Sequence, residues 1–131
     1  MSNICSQSFL QAMQNLINEK SDENYKTFEQ EIDKTKFLSP VFITNQNNEI
    51  ELKNSDVSFV NIEDGQGNKL FLAFTDWDKF KKFKKENNFT AIEATVKDFH
   101  YLLTNIDKDA LGFVINIGDE ALFIPKETFV N

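Results

Sequence analysis

Residues 70–86 read LFLAFTDWDKFKKFKKE, and the hydrophobic period changes within them. Leu70 to Phe74 is a five-residue apolar run, the length of a buried strand. Thr75 and Asp76 then offer two helix caps. Trp77, Phe80 and Phe83 follow at helical spacing, spanning about 120° at 100° per residue, the width of a core-facing stripe. Working outward, Glu63 to Asn68 is turn chemistry with two glycines (EDGQGN), and Val57, Phe59, Val60 and Ile62 before it predict the partner strand of a hairpin. Downstream, Phe89 to Val96 contains a further strand with Ile92, Ala94 and Val96 alternating. The order strand, helix, strand permits a right-handed parallel crossover.

The flanks supply the rest of the fold. Ser8 to Asn18 predicts a helix with Phe9, Leu10, Met13, Leu16 and Ile17 on one face. Asp22 to Asp33 predicts a second, capped by Ser21, with Tyr25, Phe28 and Ile32 turned inward. Its acids, among them Asp22, Glu23, Glu29, Glu31 and Asp33, read as a solvated face, without the spacing or central glycine of a calcium loop. Phe37 to Thr44 predicts a strand in which Pro40 marks a sheet edge, a bulge or the strand's start. Glu49 to Lys53 alternates as a half-buried strand does. Asp98 to Ile106 predicts a helix on the stripe Phe99, Leu102, Leu103 and Ile106. Gly112 to Ile117, a Gly118–Asp119 turn, and Ala121 to Ile124 predict a closing hairpin, with Pro125 opening a terminal turn or helix. The expected fold class is α+β: a mixed, mostly antiparallel sheet with helices packed against it. It forms one domain over 1–131, with two helices at about 8–33 and the sheet and its helices at about 36–130.

Length and composition set limits on function. A chain of 131 residues with 40% hydrophobic and 27% charged side chains suits one soluble globular domain. All 14 basic residues are lysine, and phenylalanine also numbers 14. Lysine, asparagine, phenylalanine and isoleucine dominate, and all four have AT-rich codons, so an AT-rich genome accounts for both biases. Phe9, Phe28, Phe59, Phe71, Phe80, Phe83, Phe99, Phe113 and Phe123 fall on expected inward faces. The net charge of −7 argues against nucleic acid, which demands a cationic footprint. Absent arginine also removes the bidentate fork that clamps phosphate. No apolar stretch approaches the roughly 20 residues of a membrane span, and no secretory leader opens the chain. The expected compartment is the cytoplasm.

Candidate chemistry is sparse. Cys5 is the sole cysteine and reads as an incidental or structural thiol. His100, the sole histidine, builds no metal site alone and reads as an exposed or half-exposed side chain and not as a buried base. Gly65–Gln66–Gly67 lacks the downstream lysine and hydroxyl of a phosphate loop and reads as a turn. Asp107 and Asp109 sit in a helix-to-strand loop, with nothing to mark an acid–base couple. Lys81, Lys82 and Lys85 project opposite the Trp77 stripe. They read first as a solvated helix face, with Asp78 placed to pair with Lys81 or Lys82, and second as a docking surface for an acidic partner. Thr75, Asp76 and Asn116 are the candidate polar groups of a pocket at the sheet's edge, against their plainer roles as helix caps and a strand-end turn residue. No catalytic residue, cofactor or metal is expected.

Three stretches resemble the N-terminal domain of the SseB family, the enhanced-serine-sensitivity proteins. They are the junction Leu70 to Trp77, the run Gly112 to Ile117, and Ala121 to Pro125 with Lys126 and Glu127 after it. The two helices before Phe37 also fit. Two departures are Ala73, where the family often has proline before its Phe-Thr pair, and an end point where many members continue into a second domain. The resemblance implies an α+β domain of bacterial cytoplasmic proteins, without a cofactor and not known as a catalytic fold. The leading expectation is therefore a non-enzymatic protein-interaction module with an unidentified protein partner, self-association included, and with neither nucleic acid nor membrane as partner. The alternatives are a small-molecule-sensing or small enzymatic domain and an acidic immunity-type protein that binds a basic toxin.

Overall fold

The computed structural model describes residues 5–43, 57–85 and 89–129. Two helices lead. In α1 (Gln7–Asn18) the Ser6 hydroxyl accepts the Phe9 N–H, and Phe9, Ala12, Met13 and Leu16 are buried. In α2 (Asp22–Ile32) Ser21 caps in the same way, and Phe28 and Ile32 are buried. Tyr25 is exposed, against expectation. It lies about 20° around the helix from Ile32 and about 60° from Phe28, so it shares their stripe at its margin, and its side chain still stays in solvent.

The strands divide between two sheets. β1 (Lys36–Ile43) is the centre of the first, flanked antiparallel by β2 (Val57–Phe59) and β5 (Thr90–Thr95). The second has the order β3 (Asn61–Glu63), β4 (Lys69–Ala73), β6 (Gly112–Ile115), β7 (Leu122–Pro125). Only its β4–β6 pair is parallel. The predicted continuous strand through Val60 is thus two short strands, because the chain changes sheets at that residue. The parallel crossover also arrives one strand later than expected: β5 joins β1, and β6 returns beside β4. A bridge joins the sheets, with Leu38 and Phe74 exchanging both backbone hydrogen bonds at 2.9 and 2.8 Å. The predicted Glu49–Lys53 strand lies outside the described residues.

Pro40 sits inside the central strand, neither at an edge nor at a start. Its carbonyl accepts the Val60 N–H, so it points the same way as the Leu38 groups, away from β5. Its missing N–H therefore falls at the seam between the sheets, where no ladder bond is lost.

α3 (Trp77–Lys84) packs Phe80 inward, while Trp77 remains 38% exposed. Trp77 covers the edge of Phe80 at 5.8 Å instead of entering the core. Val96 ends the β5 alternation by starting α4 (Val96–Tyr101), which Thr95 and Asp98 close with a reciprocal capping box. The helix then widens into a π turn over Leu102–Ile106. That widening breaks the predicted stripe: Phe99, Leu102 and Leu103 are buried, but Ile106 is rotated outward.

One apolar cluster centres on Phe37, which meets Phe9, Phe99 and Phe113 at ring distances of 5.4–6.5 Å. Phe99 and Phe113 stack at 4.4 Å. A second cluster joins Phe74, Phe80 and Phe89, with Phe83 packed against them. Phe123 is exposed, correcting its inward assignment. It alternates with buried Ile124 on edge strand β7 and faces away from the core. Pro125 ends β7 and does not start the 3₁₀ turn Lys126–Phe129.

Candidate functional site

The three polar residues singled out from sequence do come together, at the carboxyl ends of the parallel strands β4 and β6. Such ends hold ligands in open α/β sheets. Here the groups satisfy one another. The Asn116 side-chain oxygen accepts the Thr75 N–H at 3.0 Å. Its amide donates to the Thr75 hydroxyl at 2.9 Å and to Glu120 Oε1 at 3.1 Å. The Thr75 hydroxyl in turn faces Asp76 Oδ2 at 3.4 Å, while Asp76 Oδ1 caps α3 by accepting the Lys79 N–H at 2.8 Å. Asp76, not Thr75, is therefore the cap. Thr75, Asp76 and Asn116 are all buried.

Asn116 also carries the turn. It adopts φ +57°, a left-handed conformation that asparagine tolerates better than most residues. Its N–H donates to Ala73 and its carbonyl accepts from Asp119 and Ala121. Lys79 closes the network on its outer side, 2.9 and 3.0 Å from the Glu120 oxygens and 3.6 Å from Asp119. Burial works against both charges, but their mutual attraction and hydrogen bonding win: Lys79 is held above its ordinary pKa and Glu120 below. Among the described residues no buried side-chain nitrogen or oxygen lacks a hydrogen-bond partner.

The other sequence candidates stay apart. Lys81, Lys82 and Lys85 lie exposed on and just beyond the end of α3. His100 is half-buried on α4. Cys5 is buried; its thiol donates to the Lys36 carbonyl at 3.2 Å, and burial, then the nearby Asp76 charge, pushes its pKa up to about 12. Asp64 braces the turn containing Gly65 and Gly67 by accepting from Gln66 and Asn68. Among the described residues no three His, Cys, Asp or Glu side chains converge to hold a metal ion.

The residues that matched the resemblance form one unit in space. The Leu70–Trp77 junction, the Gly112 run and the Ala121 run supply β4, β6 and β7, and the Asn116–Thr75 bonds join their ends. Residues 10–128 match the family of the SseB protein N-terminal domain. The chain belongs to the SseB family. No curated protein and no solved structure is significantly similar to it. In this SseB domain Gly112 has a definite reason: a Cβ there would land on the Ile124 carbonyl oxygen and 2.9 Å from the Pro125 Cα.

The SseB domain also has a cleft of about 680 Å³, away from the Thr75–Asn116 network. Phe59, Phe71 and Ile92 line it from the strands, and Tyr101, Leu102 and Ile106 from the helical side. Glu93, Asp98 and Asp107 supply its carboxylates. Sequence reading missed this site because its lining comes from elements that are distant along the chain. The local signal available was the isoleucine closing the α4 stripe, which reads as core until the π turn is known. No helix among the described residues is long and apolar enough to cross a membrane.

Proposed function

We propose that this SseB-family domain is a non-enzymatic protein-interaction module of the bacterial cytoplasm. The observation that carries this reading is the exposure of Tyr101 (55%) and Ile106 (62%) beside an apolar cleft. Large apolar side chains that border a cleft and do not enter the core are the material of an interface centre. The polar cluster at the ends of β4 and β6 supports the same reading from the other side. Its donors and acceptors are directed at each other, so it serves the fold rather than a substrate. The family match and the acidic charge of −7 are compatible with a protein partner and add nothing specific about its identity.

The test is affinity capture from a native bacterial extract with the intact chain and with a Tyr101→Ser/Ile106→Ser variant, each checked by light scattering. The expected result is a partner, or a second copy, retained by the parent and lost by the folded variant. Identical profiles from the two proteins would count decisively against the reading.

One observation favours a second reading. The cleft volume of about 680 Å³ falls within the range of small-molecule sites, which supports ligand sensing through the cleft. A thermal-shift screen against metabolites separates the two, since ligand binding raises the melting temperature by mass action.

A further inference from the structure

We infer that the cleft receives a peptide segment with an apolar anchor flanked by lysine or arginine; this rests on the interaction reading above and names the partner's chemistry. The apolar part of the match is Phe59, Phe71, Ile92 and Leu102, with Tyr101 and Ile106 able to close over an inserted side chain. A volume of about 680 Å³ is larger than one side chain requires and suits a short segment. Among the described residues the charge is one-sided. The carboxylates Glu93, Asp98 and Asp107 line the cleft, and no described lysine, arginine or histidine does.

The cations that approach from outside stand at long ion-pair distances from two of these acids. Lys36 lies 3.7 Å from Glu93 with both side chains exposed, and Lys69 lies 3.6 Å from Asp107. The exposed Lys36–Glu93 pair contributes little and exchanges readily, while Asp107 is the more sheltered acid, its side chain 17% exposed. Asp98 faces Thr95, whose N–H and hydroxyl donate to one of its oxygens, so these bonds come from neutral groups. A net charge of −7 over the chain reinforces the preference by attracting basic segments and repelling acidic ones.

The experiment uses the full chain labelled with ¹⁵N and two synthetic peptides, a Leu-Phe-Leu centre flanked on both sides by lysines and the same centre flanked by glutamates. The expected result is that the lysine peptide shifts the amides of residues 92–94 and 101–107. Its affinity should fall with added salt, and weaken about two- to fivefold for Glu93→Gln, the span of exposed ion pairs, and at least as much for the more sheltered Asp107→Asn. Equal binding of the glutamate peptide overturns the inference, as does binding of neither or a shift pattern centred elsewhere. A partner captured in a Tyr101- and Ile106-dependent manner, alongside a lysine peptide that fails, also overturns the basic-segment chemistry while leaving the interaction reading intact. Concentration-dependent self-association lost in E93Q and D107N overturns it in favour of a second copy as the occupant.

Discussion

Replacing Asn116 tests the packing logic of the parallel strand ends. Asn116→Ala removes the acceptor of the Thr75 N–H and the donor to the Thr75 hydroxyl and Glu120. A buried donor left without a partner costs about 1–3 kcal/mol. Alanine must also hold φ +57°, which adds about 1–2 kcal/mol for a residue with a Cβ and no local polar group. The expected loss is thus about 2–5 kcal/mol. Asn116→Gly relieves the backbone part and leaves the hydrogen-bond part, so it should be less damaging by about 1–2 kcal/mol. Asn116→Asp keeps an acceptor for Thr75 but sets a carboxylate 3.1 Å from Glu120, and should recover stability as acid protonates the pair. Urea unfolding followed by circular dichroism measures all three, with an unchanged denaturant slope confirming that stability alone has moved. An Asn116→Ala loss below about 1 kcal/mol would refute the reasoning, as would a glycine variant no better than alanine.

Four further outcomes follow from particular residues. Gly112→Ala should lose at least about 1–3 kcal/mol by driving β6 and β7 apart, read as a lower melting temperature; an unchanged value would mean the strands can separate freely. Ala121, held at φ +51°, should gain about 1 kcal/mol when replaced by glycine, and a loss in denaturant midpoint would contradict this. Cys5 has its folded pKa raised to about 12 from an ordinary 9.0. The native state therefore keeps the proton that the unfolded chain releases, and stability should fall as pH rises from 9 toward 12. Cys5→Ala should flatten that alkaline decline, and thiol labelling of the native protein near pH 8 should be slow until denaturant is added. Glu120 has its pKa lowered by Lys79 and Asn116 against the effect of burial, so its stabilisation is present above its ordinary value of 4.5 and is lost as pH falls through the depressed folded value. Glu120→Gln should remove that part of the acid limb in a pH series of melting curves.

Much of the fold is legible because local signals and tertiary packing agree. Ser21 and Asp76 cap where cap chemistry predicts, and the apolar faces of α1 and β4 are buried as their periods require. The misreadings arise where tertiary context decides. Nothing near Val60 announces a change of sheet, since a continuous strand has the same alternation. Pro40 reads as an edge until the direction of its carbonyl is known. Ile106 leaves the core through a π turn that the spacing of its neighbours does not encode. At the site, Thr75, Asp76 and Asn116 were legible as a group by residue type, but their mutual bonding depends on β4 and β6 being parallel neighbours. The cleft was illegible for the same reason.

The transfer of the chain at Val60 makes the two sheets mechanically interdependent. Residues 57–59 belong to one ladder and 61–63 to the other, with the Leu38–Phe74 bridge as a second tie. Pulling β2 from β1 drags on β3 and so on β4, whose far side carries the parallel pairing to β6. A disturbance at the β2 edge is therefore passed to the second sheet, and these two ties favour concerted opening of the sheets over separate fraying.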